Sequence, residues 1–192
     1  MIPQEIIARL QAGNDAFVAA KTNPSDISAA RREELVKGQH PIATVITCSD
    51  SRVVPEHIFS VGLGEIFVIR TAGNVVSDYE SGSVEYAVDH LHTGAVIVLG
   101  HTHCGAVGAA RETMNHHNAG IGNPRGLNAI ISEISRAIHD TKTATEAVRA
   151  NVNNSVNRLL ENHKLLDMID DGKTEVFKAV YDLDTGKVEF FK

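Results

Sequence analysis

Two short apolar runs in this chain end in reactive side chains. Ala43-Thr44-Val45-Ile46 leads into Thr47-Cys48-Ser49-Asp50-Ser51-Arg52, and Ala95-Val96-Ile97-Val98-Leu99 leads into Gly100-His101-Thr102-His103-Cys104-Gly105. Continuous β-favouring runs without alternation read as strands buried on both faces, as in parallel sheets covered by helices. In open sheets of that kind ligands sit beyond the carboxyl ends of the strands, at the point where strand order reverses. Both clusters fall at such ends, so the fold and the site are constrained together.

The rest of the chain fits an α/β fold, with a mainly parallel central sheet, helices on both faces, and a C-terminal β-hairpin forming an antiparallel edge. Strands are expected at residues 42–47, 66–69 and 95–99. The hairpin pairs 175–181 with 187–191 around Asp184-Thr185-Gly186. Helices are expected at 3–20, with a weak point at Gly13-Asn14 that would make it two short helices. Another follows Pro24, capped by Ser25, Asp26 or Ser28 and ended by Gly38. Further helices are expected from Pro55 to Phe59, from Ser83 to Leu91, from Ala106 to Met114, and at 127–139 and 143–163. Residues 71–80 and 118–126 read as loops. Residues 1–192 are expected to form one domain with an N-terminal helical arm over about 1–38. The arm's apolar face (Ile6, Ile7, Leu10, Phe17, Val18) lies outside any βαβ unit, so it must cover either the domain or a neighbouring subunit.

Charge and composition exclude several classes. A formal charge of −6 without a basic block argues against nucleic acid as a partner. No apolar run approaches the roughly 20 residues of a bilayer span, so no membrane partner is expected. The N-terminus lacks the basic region and apolar core of a signal peptide, and the expected compartment is cytoplasmic. The chain has only two cysteines, and without an export signal metal binding is the better expectation for them than a disulfide. Of the ten histidines, His40, His116, His117, His139 and His163 lie in polar surroundings and read as solvent-facing.

Thiolate and imidazole are the usual ligands of zinc, and a catalytic site keeps a fourth position open. His101-x-x-Cys104 supplies two ligands from one loop and Cys48 a third from the neighbouring strand end. His103 competes for the histidine position, although the spacing favours His101. Taken alone, each cysteine could be an inert buried residue; the combination of C-x-D-x-R with H-x-x-C is what argues for Zn2+. Asp50 and Arg52 could be an ordinary ion pair. Beside a metal, Arg52 would hold Asp50 away from the ion, and Asp50 released from Arg52 could become the fourth ligand and close the site.

At these residues the sequence resembles a β-class carbonic anhydrase, over about Lys37 to Val107 and more loosely at both ends. The resemblance implies zinc ligands at Cys48, His101 and Cys104 and a catalytic dyad at Asp50 and Arg52. It also implies substrate contacts from Gln39 across a dimer interface, from Phe67 and Tyr86 lining a carbon dioxide pocket, and from the backbone N–H of Gly105. Ala72 stands where similar proteins carry a pocket valine, which would leave the pocket roomier. Val45 stands where members with a regulatory bicarbonate site carry tryptophan, so that form of inhibition is not expected.

The implied function is zinc-dependent reversible hydration of carbon dioxide to bicarbonate and a proton, in a homodimer or higher homo-oligomer. One alternative is a zinc hydrolase of carbonyl sulfide or carbon disulfide, which Ala72 leaves open. Another is a non-catalytic zinc-binding or redox-sensing protein using Cys48 and Cys104, against which stands Arg52, unnecessary in a closed four-ligand site.

Overall fold

A computed structural model describes residues 1–21, 25–115 and 125–192. Pro24, the His116-His117 pair and most of the loop expected at 118–126 fall outside these residues. The sheet comprises β1 (Ala43–Cys48), β2 (Ile66–Thr71), β3 (Ala95–His101), β4 (Glu175–Tyr181) and β5 (Val188–Phe191), in the order β2-β1-β3-β4-β5. The pairs β1/β2, β1/β3 and β3/β4 are parallel, and β4/β5 is antiparallel. The expected α/β sheet with its antiparallel edge is what the chain forms. From β1 the chain crosses to β2 on one side and returns to β3 on the other, so strand order reverses between β1 and β3.

Alternation along the buried strands splits the core into two layers. Ala43 and Val45 of β1 with Ala95, Ile97 and Leu99 of β3 face one layer. Ile46 and Cys48, with Val96 and Val98, face the other. The second layer is closed by α4 (Asp78–Asp89), α5 (Gly105–Asn115), α6 (Leu127–Ile138), α7 (Ala144–Leu159) and α8 (His163–Asp170). The first is closed by α1 (Pro3–Val18), through Ile6 and Leu10, and by α3 (Pro55–Ile58). The face of α1 therefore covers its own sheet. By contrast α2 (Ala29–Leu35) buries no residue, and Val36 just beyond it is 86% exposed.

Several boundaries differ from the sequence reading. α1 is continuous through Gly13-Asn14 because both residues are used in docking. A Cβ on Gly13 would lie 1.9 Å from the carbonyl oxygen of Phe59. Asn14 is buried and donates from Nδ2 to the carbonyls of Ile58 (3.1 Å) and Gly186 (2.9 Å), while accepting from the Val188 N–H (2.8 Å). α4 starts at Asp78, inside the expected loop, where the Ser77 N–H donates to Glu80 Oε2 at 2.9 Å. The single helix expected over 143–163 stops at Leu159. Asn162 then caps a separate α8 by accepting from the Leu165 N–H at 3.1 Å.

Candidate metal centre

The reversal between β1 and β3 brings the two reactive clusters together. Cys48 is the last residue of β1, His101 the last of β3, and Cys104 immediately precedes α5. Thr47 Oγ donates to the Leu99 carbonyl at 2.8 Å and locks the two strand ends side by side. The ligand atoms of Cys48, His101 and Cys104 all lie within 4.8 Å of one another, and all three residues are buried.

Their hydrogen bonds leave the right atoms free. The ring N–H of His101 at Nδ1 donates to the Thr102 carbonyl at 2.8 Å, which leaves the lone pair on Nε2, facing the thiols. That Nε2 is buried and has no hydrogen-bond partner. The loop beyond it is pinned to β4, since the Thr102 N–H donates to the Tyr181 carbonyl at 3.0 Å and Thr102 Oγ accepts from the Leu183 N–H at 2.9 Å. His103 turns outward, 2.9 Å from Asp184 Oδ2, so the structure groups His101, not His103, with the cysteines.

Cys48 Sγ accepts from the N–H groups of Gly73 at 3.2 Å and Asp50 at 3.4 Å. A hydrogen bond from the Cys104 thiol, with these two N–H groups, draws the Cys48 thiol well below its usual range, against burial. Cys104 is pushed up, because it retains the proton it shares with Cys48 and because it is buried. The two titrate as one unit, in which the first thiolate forms readily and the second is disfavoured until a cation arrives. An orphaned imidazole nitrogen beside two sulfurs that want one more positive charge fits a thiophilic divalent metal.

Beside this cluster, Arg52 grips Asp50 with both prongs: Nε donates to Oδ1 at 2.9 Å and Nη2 to Oδ2 at 2.8 Å, and the Arg52 N–H adds a third bond at 3.0 Å. The guanidinium of Arg52 and its backbone N–H hold the Asp50 carboxyl well below the usual carboxylate range, against partial burial. Asp50 Oδ2 stands 4.0 Å from His101 Nε2. Arg52 also donates to the His103 carbonyl at 3.2 Å, which ties the two motifs together.

Two supports were not legible as functional residues. Arg70, at the end of β2, donates from Nε to the Cys48 carbonyl at 3.2 Å and from Nη2 to the Asp50 carbonyl at 2.7 Å, which holds the turn that carries both. Gly73 presents its N–H to Cys48 from a left-handed conformation (φ 68°), and a Cβ there would lie 2.7 Å from Ile134 Cδ1.

The remaining expected residues divide. Ala72 precedes Gly73 at the site, and Gly105 opens α5 directly after Cys104 with open space around it. Phe67 and Tyr86 pack against each other as tilted rings with centroids 6.2 Å apart. Phe67 lies four residues, about 13 Å along the strand, before Thr71, the register partner of Cys48. Gln39 is exposed in the segment between α2 and β1. Within one chain these three do not join the sulfur cluster.

Comparison with known proteins agrees with this geometry. A family model described as Carbonic anhydrase matches residues 43–188. Carbonic anhydrase 2 of Mycobacterium tuberculosis is 46% identical over 106 residues, 55% of this chain and 51% of that protein. The carbonic anhydrase of Pseudomonas aeruginosa is 33% identical over 193 aligned positions, 91% of this chain and 84% of that one. The match thus spans about half the length of the mycobacterial relative. Among solved structures, the β-carbonic anhydrase CafA of Aspergillus fumigatus superposes with a TM-score of 0.71 at 28% identity, over 98% of this chain and 91% of that chain.

Proposed function

The chain belongs to the β-carbonic anhydrase family, and from that premise we propose that it catalyses the reversible hydration of carbon dioxide to bicarbonate and a proton, with zinc held by Cys48, His101 and Cys104. The observation that carries this reading is the orphaned His101 Nε2 within 4.8 Å of two buried sulfurs, beside a carboxylate gripped by arginine. Zinc, when bound, acidifies water and supplies a nucleophile near neutral pH.

The chain's own residues do the rest. Asp50, kept ionised by Arg52, accepts a hydrogen bond from the nucleophile and orients it. Arg52, through its two-pronged contact with the Asp50 carboxylate, would keep that carboxylate engaged and away from the ion. The Gly105 N–H, in the first turn of α5, would receive developing negative charge on a substrate oxygen. Ala72 shapes the pocket wall. Gln39, Phe67 and Tyr86 serve a site completed by a second copy of the chain. Residues 1–192 act as one domain in a cytoplasmic homo-oligomer without nucleic-acid or membrane partners. Among the described residues no helix is long and apolar enough to cross a membrane.

Cys48→Ser tests the reading. It should lose zinc, measured by metal analysis, together with carbon dioxide hydration, measured by stopped flow. Full activity in a metal-free variant would sink it. Sulfide release from carbonyl sulfide or carbon disulfide in place of hydration would reassign the substrate and keep the metal.

A further inference from the structure

Helix α7 carries none of the motif residues, yet it packs against both halves of the metal centre. On its inner face Val148 and Val152 close over Gly100, where a Cβ would meet Val152 Cγ2 at 2.6 Å and Val148 Cγ1 at 3.3 Å. The same face carries two polar residues one turn apart, Asn151 and Ser155, each 1% exposed among apolar neighbours. Buried polar groups of this kind are retained where their hydrogen bonds hold something. Here they hold the turn after β2. Asn151 Nδ2 donates to the Gly73 carbonyl at 2.7 Å, Ser155 Oγ donates to the Asn74 carbonyl at 2.8 Å, and Asn74 Nδ2 donates back to Ser155 Oγ at 3.4 Å.

That turn needs holding. Gly73 and Asn74 both sit at positive φ (68° and 47°), a left-handed pair that glycine adopts freely and asparagine tolerates better than most side chains, and the Gly73 N–H points at Cys48 Sγ at 3.2 Å. Both carbonyls of this left-handed pair are gripped from α7 while the N–H of the first faces the sulfur. We propose that Asn151 and Ser155 are positioning residues for the metal: by fixing the Gly73-Asn74 turn they aim an N–H at the Cys48 sulfur and preset the geometry in which Cys48 binds the ion. This rests on the reading of Cys48 as a metal ligand. Groups that orient a ligand from outside are commonly worth about 10–100-fold in metal affinity.

The test compares Asn151→Ala and Ser155→Ala with Val156→Ala, a buried change on the same helix that leaves the turn's hydrogen bonds in place. Zinc and cobalt(II) affinities are measured by competition with a chromophoric chelator, and the sulfur-to-cobalt charge-transfer band is recorded. Asn151→Ala should weaken both metals about 10–100-fold and move the band to lower energy, because a sulfur that loses an N–H donor releases electron density more readily. Ser155→Ala should change both readouts in the same direction by less, and it decides the matter if Asn151→Ala does not fold. Val156→Ala should lower the melting temperature without changing affinity or band. Wild-type affinity and an unmoved band in both turn variants would overturn the inference and leave the metal reading intact. A wild-type protein that binds neither zinc nor cobalt would overturn both.

Discussion

Asp50 serves the proposed chemistry only while it is charged and turned away from the ligand sulfurs, and the two-pronged contact from Arg52 secures both conditions. Asp50→Asn should therefore bind zinc like the wild type but lose about 10²–10⁴-fold in carbon dioxide hydration; equal activity would remove Asp50 from the mechanism. Because Asp50 ionises far below neutrality, it adds no acid limb to the pH profile. The two sulfur ligands make bound water less acidic than neutral ligands would, so activity should climb on the alkaline side of neutrality. A flat profile between about pH 6 and 9 would contradict this. The same pair sets a stability dependence of known sign. Folded Asp50 has a depressed pKa, so its contribution is present above its unfolded value of about 3.9 and fades as pH falls through the folded value. With Arg52 54% exposed, the contribution is about 1 kcal/mol at most. Urea midpoints of wild type and Asp50→Asn should differ at pH 6 and converge in strong acid; a constant gap would point to packing instead. The five motif residues were legible because a thiol, a carboxylate or a guanidinium has few reasons to follow a buried strand. Arg70 and Gly73 were not, because they act through backbone carbonyls and a backbone N–H, and residue type does not reveal those contacts.

At the scale of elements, strands were easier to read than helix ends. β1 and β3 announce themselves because both faces are buried and, the site residues at their ends apart, each residue is apolar or has its polar group satisfied, as with Thr44, whose hydroxyl lies 2.9 Å from that of Thr93 just before β3. The start of α4 was present in the sequence as Ser77-x-x-Glu80, a capping signal hidden by the polar residues around it. The break between α7 and α8 was masked by continuing helical periodicity and is made by the Asn162 cap. Gly13-Asn14 was misleading for a different reason: residues that weaken an isolated helix here dock one. Asn14 joins α1 to α3 and to the β4–β5 hairpin through three hydrogen bonds, two of them buried. Asn14→Ala leaves the Val188 N–H and two carbonyls without their partner, at about 1–3 kcal/mol for each unsatisfied group. We predict a loss of at least about 2 kcal/mol in unfolding free energy, with zinc affinity retained because the metal centre is tied together by other bonds. An unchanged urea midpoint would show that water replaces the asparagine without cost.

For the whole molecule, the distribution of exposed apolar side chains is uneven. β2 is an edge strand, and exposed edges are normally shielded from pairing with other chains. Several exposed apolar side chains lie near this edge. Tyr86 is 46% exposed and packs against Phe67 of β2. α2 docks on the loop that leads into this strand, where Arg31 Nε donates to the Leu63 carbonyl at 3.2 Å, and the exposed Ile27 and Val36 flank it. Phe67 and Tyr86, two of the expected substrate residues that miss the sulfur cluster within one chain, lie at this edge. A second copy seated against the β2 edge would cover the apolar surface and offer those residues to its partner's metal centre. The double variant Val36→Asp, Tyr86→Ala should accordingly shift the mass measured by light scattering from an oligomer to a single chain. It should keep wild-type zinc content and helical signal, since neither residue touches the ligands, and yet lose most carbon dioxide hydration. A single chain of full activity would place the complete substrate site within one subunit and refute the shared pocket. A monomeric wild type would refute the assembly itself.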